Sequence, residues 1–296
     1  MSVKADNAII LAAGYSSRFA PLCFDIPKGL LPVKGEKLIE RQIRQLGAIG
    51  IKQIVIVTGA YAEQFAFLQQ KYYGKYDIQL VYNSDYAVKN NFASLYAARD
   101  FLGNSIISSS DLFFSDNVFQ NSADYAYFSS VFVSGATNQR CLTLDAQDKI
   151  IATNYGGHDT WITFGGQAFF SSDVSQKLIS YIRPVYDNPA YADKYWVDFH
   201  DAHLAQIPMY IKRLTAEDIV EFNSLCALRQ FDADFRAVAI SPVMEFLISE
   251  LKADELELEN FLPIKQGNSA IGCTFTYHGE RWQYQHSDRS LKIITL

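Results

Sequence analysis

The stretch that most constrains this chain is Ala8 to Leu30, AIILAAGYSSRFAPLCFDIPKGL. It opens on an unbroken apolar run, Ala8 to Ala13, closed by Gly14. A short run without polar alternation suits a strand buried on both faces of a parallel sheet better than a half-exposed one. From Gly14 to Ser17 the residues are small or turn-forming, so the backbone can approach an anion and offer it a row of amide N–H groups. Arg18 follows directly, and Lys28 comes ten residues later behind Pro27. Strand, amide-rich turn, forked cation, rigid proline and second cation form a sequence of groups able to surround a polyphosphate.

The motif spelled by Leu11-Ala12-Ala13-Gly14, Ser16, Arg18, Pro21-Leu22 and Pro27-Lys28-Gly29-Leu30 resembles the signature loop of nucleotidyltransferases. Those enzymes join an NTP to a phosphorylated small molecule and release pyrophosphate. The resemblance implies that Leu11, Ala12, Ala13, Gly14, Tyr15, Ser16 and Ser17 bind the nucleotide, with Arg18 and Lys28 as catalytic cations at its phosphates.

Downstream, Ile39, Ile43 and Leu46 recur at helical spacing, Ile54 to Val57 form a second apolar run, and Phe65, Leu68 and Tyr72 mark a helix. A strand near Ile78 to Tyr82, a helix through Phe92, Leu95, Tyr96 and Leu102, and a strand at Ser105 to Ser108 continue the alternation. Alternating strands and helices predict an α/β fold, a Rossmann-like and mostly parallel sheet flanked by helices, with ligands at the carboxyl ends of its strands. From about Asp124 the spacing predicts five short strands, Tyr125 to Val133, Cys141 to Leu144, Ile150 to Thr153, Trp161 to Phe164 and Gln167 to Phe170. Gly156-Gly157 and Gly165-Gly166 break them. Helices near Val174 to Ile182 and Tyr191 to Ala205 and a strand at Met209 to Arg213 complete a domain over residues 1–223, leaving a small α+β appendage over 224–296. There, Ser241-Pro242 caps a helix, and His278-Gly279 joins a hairpin.

The segment Asn83 to Tyr96, with the pattern N-x-x-Y-x-x-x-N-N-x-x-S-L-Y, is similar to that of bacterial CTP:phosphocholine cytidylyltransferases. The resemblance implies CTP and phosphocholine as substrates and CDP-choline and pyrophosphate as products. Asn83, Asn90, Asn91 and Ser94 offer donors and acceptors to a base or ribose, or serve as helix caps. By the same resemblance Asp111, which follows the Ser105 to Ser110 strand, is a catalytic carboxylate and a ligand of Mg2+, the alternative being a turn cap. Asp198, behind Trp196-Val197, is the candidate second metal ligand. His200 and His203 have H-x-x-H spacing without further zinc-site features and read as a wet helix face.

A quaternary ammonium is met by aromatic rings, and Tyr155, Trp161, Tyr195 and Trp196 are available for phosphocholine. Relatives carry T-N-E-W where this chain has Thr137-Asn138-Gln139-Arg140, so Arg140 would enter the acceptor site in place of a tryptophan. That exchange, with Gln139 and Val197, leaves two alternatives open: another phosphorylated alcohol or sugar 1-phosphate as acceptor, or a nucleotide-binding pseudoenzyme.

A net charge of −6 with no basic run excludes a nucleic-acid scaffold. The apolar run after Asp6 is too short for a signal or a membrane span, and Cys23, Cys141, Cys226 and Cys273 lie too far apart for a metal motif. A cytoplasmic protein with unpaired thiols and no membrane insertion is expected. Lys265, Gly267 and Asn268 resemble part of the start of a choline kinase-like domain, here truncated to a non-catalytic remnant. Its edge strand would be covered by the main domain or by a second subunit, as in a homodimer.

Overall fold

The apolar run forms strand β1 (Asn7–Ala12), every residue of which is buried. The computed structural model describes residues 2–294, without the side chains of Phe164 and Gly165. These residues fall into two compact units: Met1–Ala13 with Arg41–Glu221, and Gly14–Glu40 with Phe222–Leu296.

In the first unit β1 lies parallel between β2 (Gln53–Thr58) and β4 (Ser105–Ser109), and β2 is parallel to β3 (Asp77–Tyr82). The helices α1 (Leu38–Ala48), α2 (Phe67–Lys71) and α3 (Asn91–Ala97) come between these strands in the chain. On α1 the periodic residues Ile39, Ile43 and Leu46 are fully buried. A short strand β5 (Leu112–Phe114) follows β4 and pairs with β9 (Ile219–Glu221).

The five short strands expected after Asp124 are instead two long ones, β6 (Tyr127–Leu144) and β7 (Ile150–Phe170), paired antiparallel. The glycines do not end them. Gly135 and Gly156 take φ of 84° and 82°, and the register shifts between Val133 and Ala136 and between Thr137 and Arg140, so bulges absorb the extra residues while the ribbon continues. At Gly166 a Cβ would stand 2.4 Å from Ser109 Oγ, so glycine there admits the close approach of β7 to β4. With β8 (Tyr210–Leu214) parallel to β6, the sheet has seven strands in the order β8-β6-β7-β4-β1-β2-β3.

Helix α4 (Ser172–Ile182) is capped by Ser171, whose hydroxyl accepts from the Val174 amide at 3.3 Å. Helix α5 (Trp196–Asp201) is much shorter than the expected Tyr191 to Ala205. Pro189 opens only a three-residue turn, and Tyr195 is extended at φ −85°, ψ 156°, so the helix starts afresh at Trp196. Trp196 is fully buried, stacked on Phe128 and edge-on to Phe170. No helix among the described residues is long and apolar enough to cross a membrane.

The second unit contains α6 (Leu225–Phe231), α7 (Pro242–Leu251) and a four-stranded antiparallel sheet, β10 (Glu259–Gln266), β11 (Ser269–Tyr277), β12 (Glu280–Gln285) and β13 (Leu291–Ile293). Ser241 caps α7 as expected, accepting from the Met244 amide at 3.1 Å. His278 and Gly279, both at positive φ, turn β11 into β12, the two left-handed residues that a tight hairpin needs. The same unit holds the 14–40 stretch, which forms three single turns at Ser17–Phe19, Leu22–Phe24 and Lys28–Leu30 and a hairpin through Lys34-Gly35. None of the four cysteines forms a disulfide.

Candidate active site

The expected triphosphate turn takes its shape from Ser16, which is left-handed at φ 56°. Its carbonyl accepts from the Phe19 amide at 2.8 Å and its hydroxyl from the Lys28 amide at 3.3 Å, which ties the two halves of the loop together. Gly14 is exposed, and a Cβ there would meet nothing within 4 Å. Tyr15 and Ser17 are partly exposed. The two cations differ. Arg18 is exposed, whereas Lys28 is buried, its Nζ donating to the Phe222 carbonyl at 3.2 Å and lying 4.9 Å from the centre of the Phe19 ring.

In the other unit, Leu11 and Ala12 end β1, and both they and the following Ala13 are buried. The Leu11 carbonyl accepts from the Ser110 amide at 3.0 Å and that of Ala13 from the Ala60 amide at 3.1 Å. Asp111 stands in the turn between β4 and β5, as the alternation predicts for a strand-end carboxylate. Sequence reasoning missed what holds this turn. Gln42 on α1 is fully buried and brackets Asp111, its Nε2 donating to the carbonyls of Ser109 and Leu112, both at 2.9 Å, while its Oε1 accepts from Ser108 Oγ at 2.7 Å. Gln45 donates similarly to Phe114 and Asp116. The signal was present: Gln42 lies three residues after Ile39 and four before Leu46, a polar group on the apolar face of a helix.

The four polar residues expected at the base are engaged with the protein. Asn83 and Ser94 are buried and bonded to each other, Nδ2 to Oγ, at 3.1 Å. Asn90 caps α3 through the Asn91 amide and donates to the Asp193 carbonyl, and Asn91 Oδ1 accepts from the Trp196 amide at 3.0 Å. They therefore splice α3 to the segment that carries α5.

On α5, Asp198 Oδ2 accepts from the Tyr195 amide at 2.8 Å. Tyr155 and Tyr195 are exposed at 65% and 47%. The Tyr155 hydroxyl is pushed up first by burial and then by the charges of Asp198 and Asp201, with Arg140 opposing, which places these groups in one electrostatic neighbourhood. Two expected acceptor residues are interior. Trp196 is core, its ring packed face-on against Phe128 and edge-on against Phe170. Arg140 is 5% exposed: its Nε donates to Asp201 Oδ2 at 2.9 Å, its Nη2 to Asp201 Oδ1 and its Nη1 to Thr163 at 3.0 Å. Burial alone would raise the Asp201 carboxyl, but hydrogen bonds from Arg140 and His200 and the guanidinium charge hold it at about 2. His200, expected on a wet face, is buried against Arg140 and shifted down by desolvation, and the His203 ring stacks on Tyr181. Trp161 is partly exposed, edge-on to Phe132.

A mostly parallel sheet, with a small-residue turn following its first strand in the chain and Asp111 following the neighbouring one, is the arrangement that the resemblance to nucleotidyltransferases implies. The comparisons make the class specific: residues 8–163 match the MobA-like NTP transferase domain, and the chain belongs to that family. It is 35% identical to the 2-aminoethylphosphonate cytidylyltransferase of Lancefieldella rimae, over 78% of this chain and 94% of that one. It is 31% identical to the choline-phosphate cytidylyltransferase of Streptococcus pneumoniae, over 76% and 96%. The solved structure of CTP:phosphocholine cytidylyltransferase from Streptococcus pneumoniae superposes with a TM-score of 0.72 over 78% of this chain and 99% of that one.

Proposed function

We propose that this enzyme transfers CMP from CTP to a small phosphorylated molecule with a cationic head, with phosphocholine as the first reading. An acceptor phosphate oxygen attacks the α-phosphorus in line, the bond to the bridging oxygen breaks, and pyrophosphate leaves. Little covalent work falls to the protein in such a transfer, which depends on positioning and charge. The amides from Gly14 to Ser17 and the exposed Arg18 would hold the triphosphate, and Lys28 would steady charge at the reacting phosphates. The Asn83 to Ser94 segment would meet the cytosine and ribose.

Asp111 and Asp198 would hold Mg2+. Their hard carboxylate oxygens suit that ion, and Asp111 stands at a strand end. Such a sparse donor set fits a metal that completes its shell with phosphate oxygens and water. When bound, the ion would neutralise charge on the phosphates.

One observation carries the acceptor reading: the exposed rings of Tyr155 and Tyr195 share one electrostatic neighbourhood, with Tyr155 opposite Arg140 in the pairing of β6 with β7. Exposed rings suit an ammonium. The relative that acts on 2-aminoethylphosphonate favours a second reading, in which a primary ammonium takes the place of the trimethylammonium at those rings. Pyrophosphate release from CTP, UTP and dTTP with phosphocholine, 2-aminoethylphosphonate and glucose 1-phosphate tests both. Release with CTP and an ammonium acceptor is expected. Release only with the sugar phosphate would overturn the reading.

A further inference from the structure

The loop that carries Arg18 and Lys28 has little secondary structure of its own. Its three turns are three residues each, too short for a ladder of hydrogen bonds to fix them. Residues 222–296 supply what is missing, at four points along the loop. The Phe24 ring lies flat on His286, with centroids 4.2 Å apart and planes 8° from parallel. Asp25 Oδ2 accepts from the Ser241 hydroxyl at 2.5 Å and from the Val243 amide at 3.0 Å, so a loop carboxylate caps α7 from more than 200 positions away in sequence. Lys28 Nζ donates to the Phe222 carbonyl, and the Lys34 amide donates to Asp232 Oδ2 at 2.6 Å.

We propose that residues 222–296 are the frame that sets the triphosphate loop, with Asp25 as its main positioning residue, a role that rests on the nucleotide reading above. Asp25 stands three residues before Lys28, whose amide bonds the Ser16 hydroxyl, so a displacement at Asp25 passes along the loop to the turn whose amides face the phosphates. The appendage thereby controls CTP affinity through the loop. Only the fraction of molecules with a correctly set loop binds, and apparent affinity falls by that fraction.

The test uses the full chain. Ser241→Ala removes the hydroxyl between Asp25 and α7, Ser241→Thr restores one, and His286→Leu removes the independent stack on Phe24. Hydrogen exchange at the bonded amides of Phe24, Leu30 and Leu31 is expected to quicken roughly five- to tenfold in Ser241→Ala, the loss of about one helix cap. The calorimetric Kd for CTP should rise by about threefold or more, with the acceptor KM within about twofold, and Ser241→Thr should stay near wild type. Unchanged exchange in both Ser241→Ala and His286→Leu would overturn the proposal, as would faster exchange with unchanged CTP affinity. If the wild-type protein binds no nucleotide, the nucleotide reading fails, while the exchange rates still decide whether the frame sets the loop.

Discussion

Gln42 is fully buried and makes three hydrogen bonds around the Asp111 turn, to the carbonyls of Ser109 and Leu112 and from the Ser108 hydroxyl. Leucine in its place has nearly the same volume, so the substitution removes polarity without opening a cavity. A buried group left without its partner costs about 1–3 kcal/mol. Ser109 is half-buried and can recruit water, and the Ser108 hydroxyl can rotate, so the expected total is roughly 3–5 kcal/mol rather than the full sum. Against a total stability of about 5–15 kcal/mol this is a large fraction, and it corresponds to a fall in Tm of about 6–15 °C. The carbonyls flank Asp111 on both sides, so their release also moves the carboxylate, and a displacement of about 1 Å at a reacting centre costs on the order of a hundredfold in rate. Thermal denaturation and pyrophosphate release at a temperature where the variant is folded measure the two effects separately. Gln45→Leu is the control: its bonds go to Phe114 and Asp116, farther along the chain, so it should lose comparable stability and much less kcat. A Gln42→Leu protein with lowered Tm and unchanged kcat would refute the positioning argument, and one with unchanged Tm would refute the energetics.

Asp111→Asn removes the charge but keeps the shape, and kcat should fall by roughly a hundredfold or more with Tm within about 2 °C, read by pyrophosphate release and thermal denaturation. Tyr155→Ala should raise the acceptor KM by about 2- to 30-fold and leave the CTP KM alone in a two-substrate kinetic analysis. Asp201 has its carboxyl held at about 2, below its unfolded value of 3.8, so its stabilisation is complete above about pH 4 and is lost as pH falls through about 2. Acid titration of the unfolding free energy should show roughly 2 kcal/mol less loss across that window in a variant lacking both Arg140 and Asp201. Asp201→Asn alone leaves the buried Arg140 guanidinium without a counter-ion and should destabilise by about 3–5 kcal/mol in urea unfolding.

What was legible in the sequence and what was not divide by range. β1, the strands at Gln53–Thr58 and Asp77–Tyr82, the Ser241 cap and the His278-Gly279 hairpin rest on neighbouring residues, and local pattern is enough for them. The glycines of the 127–170 ribbon misled because a glycine that ends a strand and one that takes up a bulge look alike until the partner strand is known. The Gln42 bonds, the Asp25 cap and the Arg140 pair all join residues 60 or more apart, which no periodicity encodes. Arg140 has the most consequence for function. In sequence it is a cation where relatives carry tryptophan, and it argues for repulsion of an ammonium acceptor. In the structure its guanidinium is spanned by both oxygens of Asp201, and the pair is close to neutral. The paired guanidinium offers little net charge to repel an ammonium. The departure that looked like decay is therefore compatible with turnover, and on the proposed reading discrimination among ammonium acceptors would fall to Tyr155 and Tyr195.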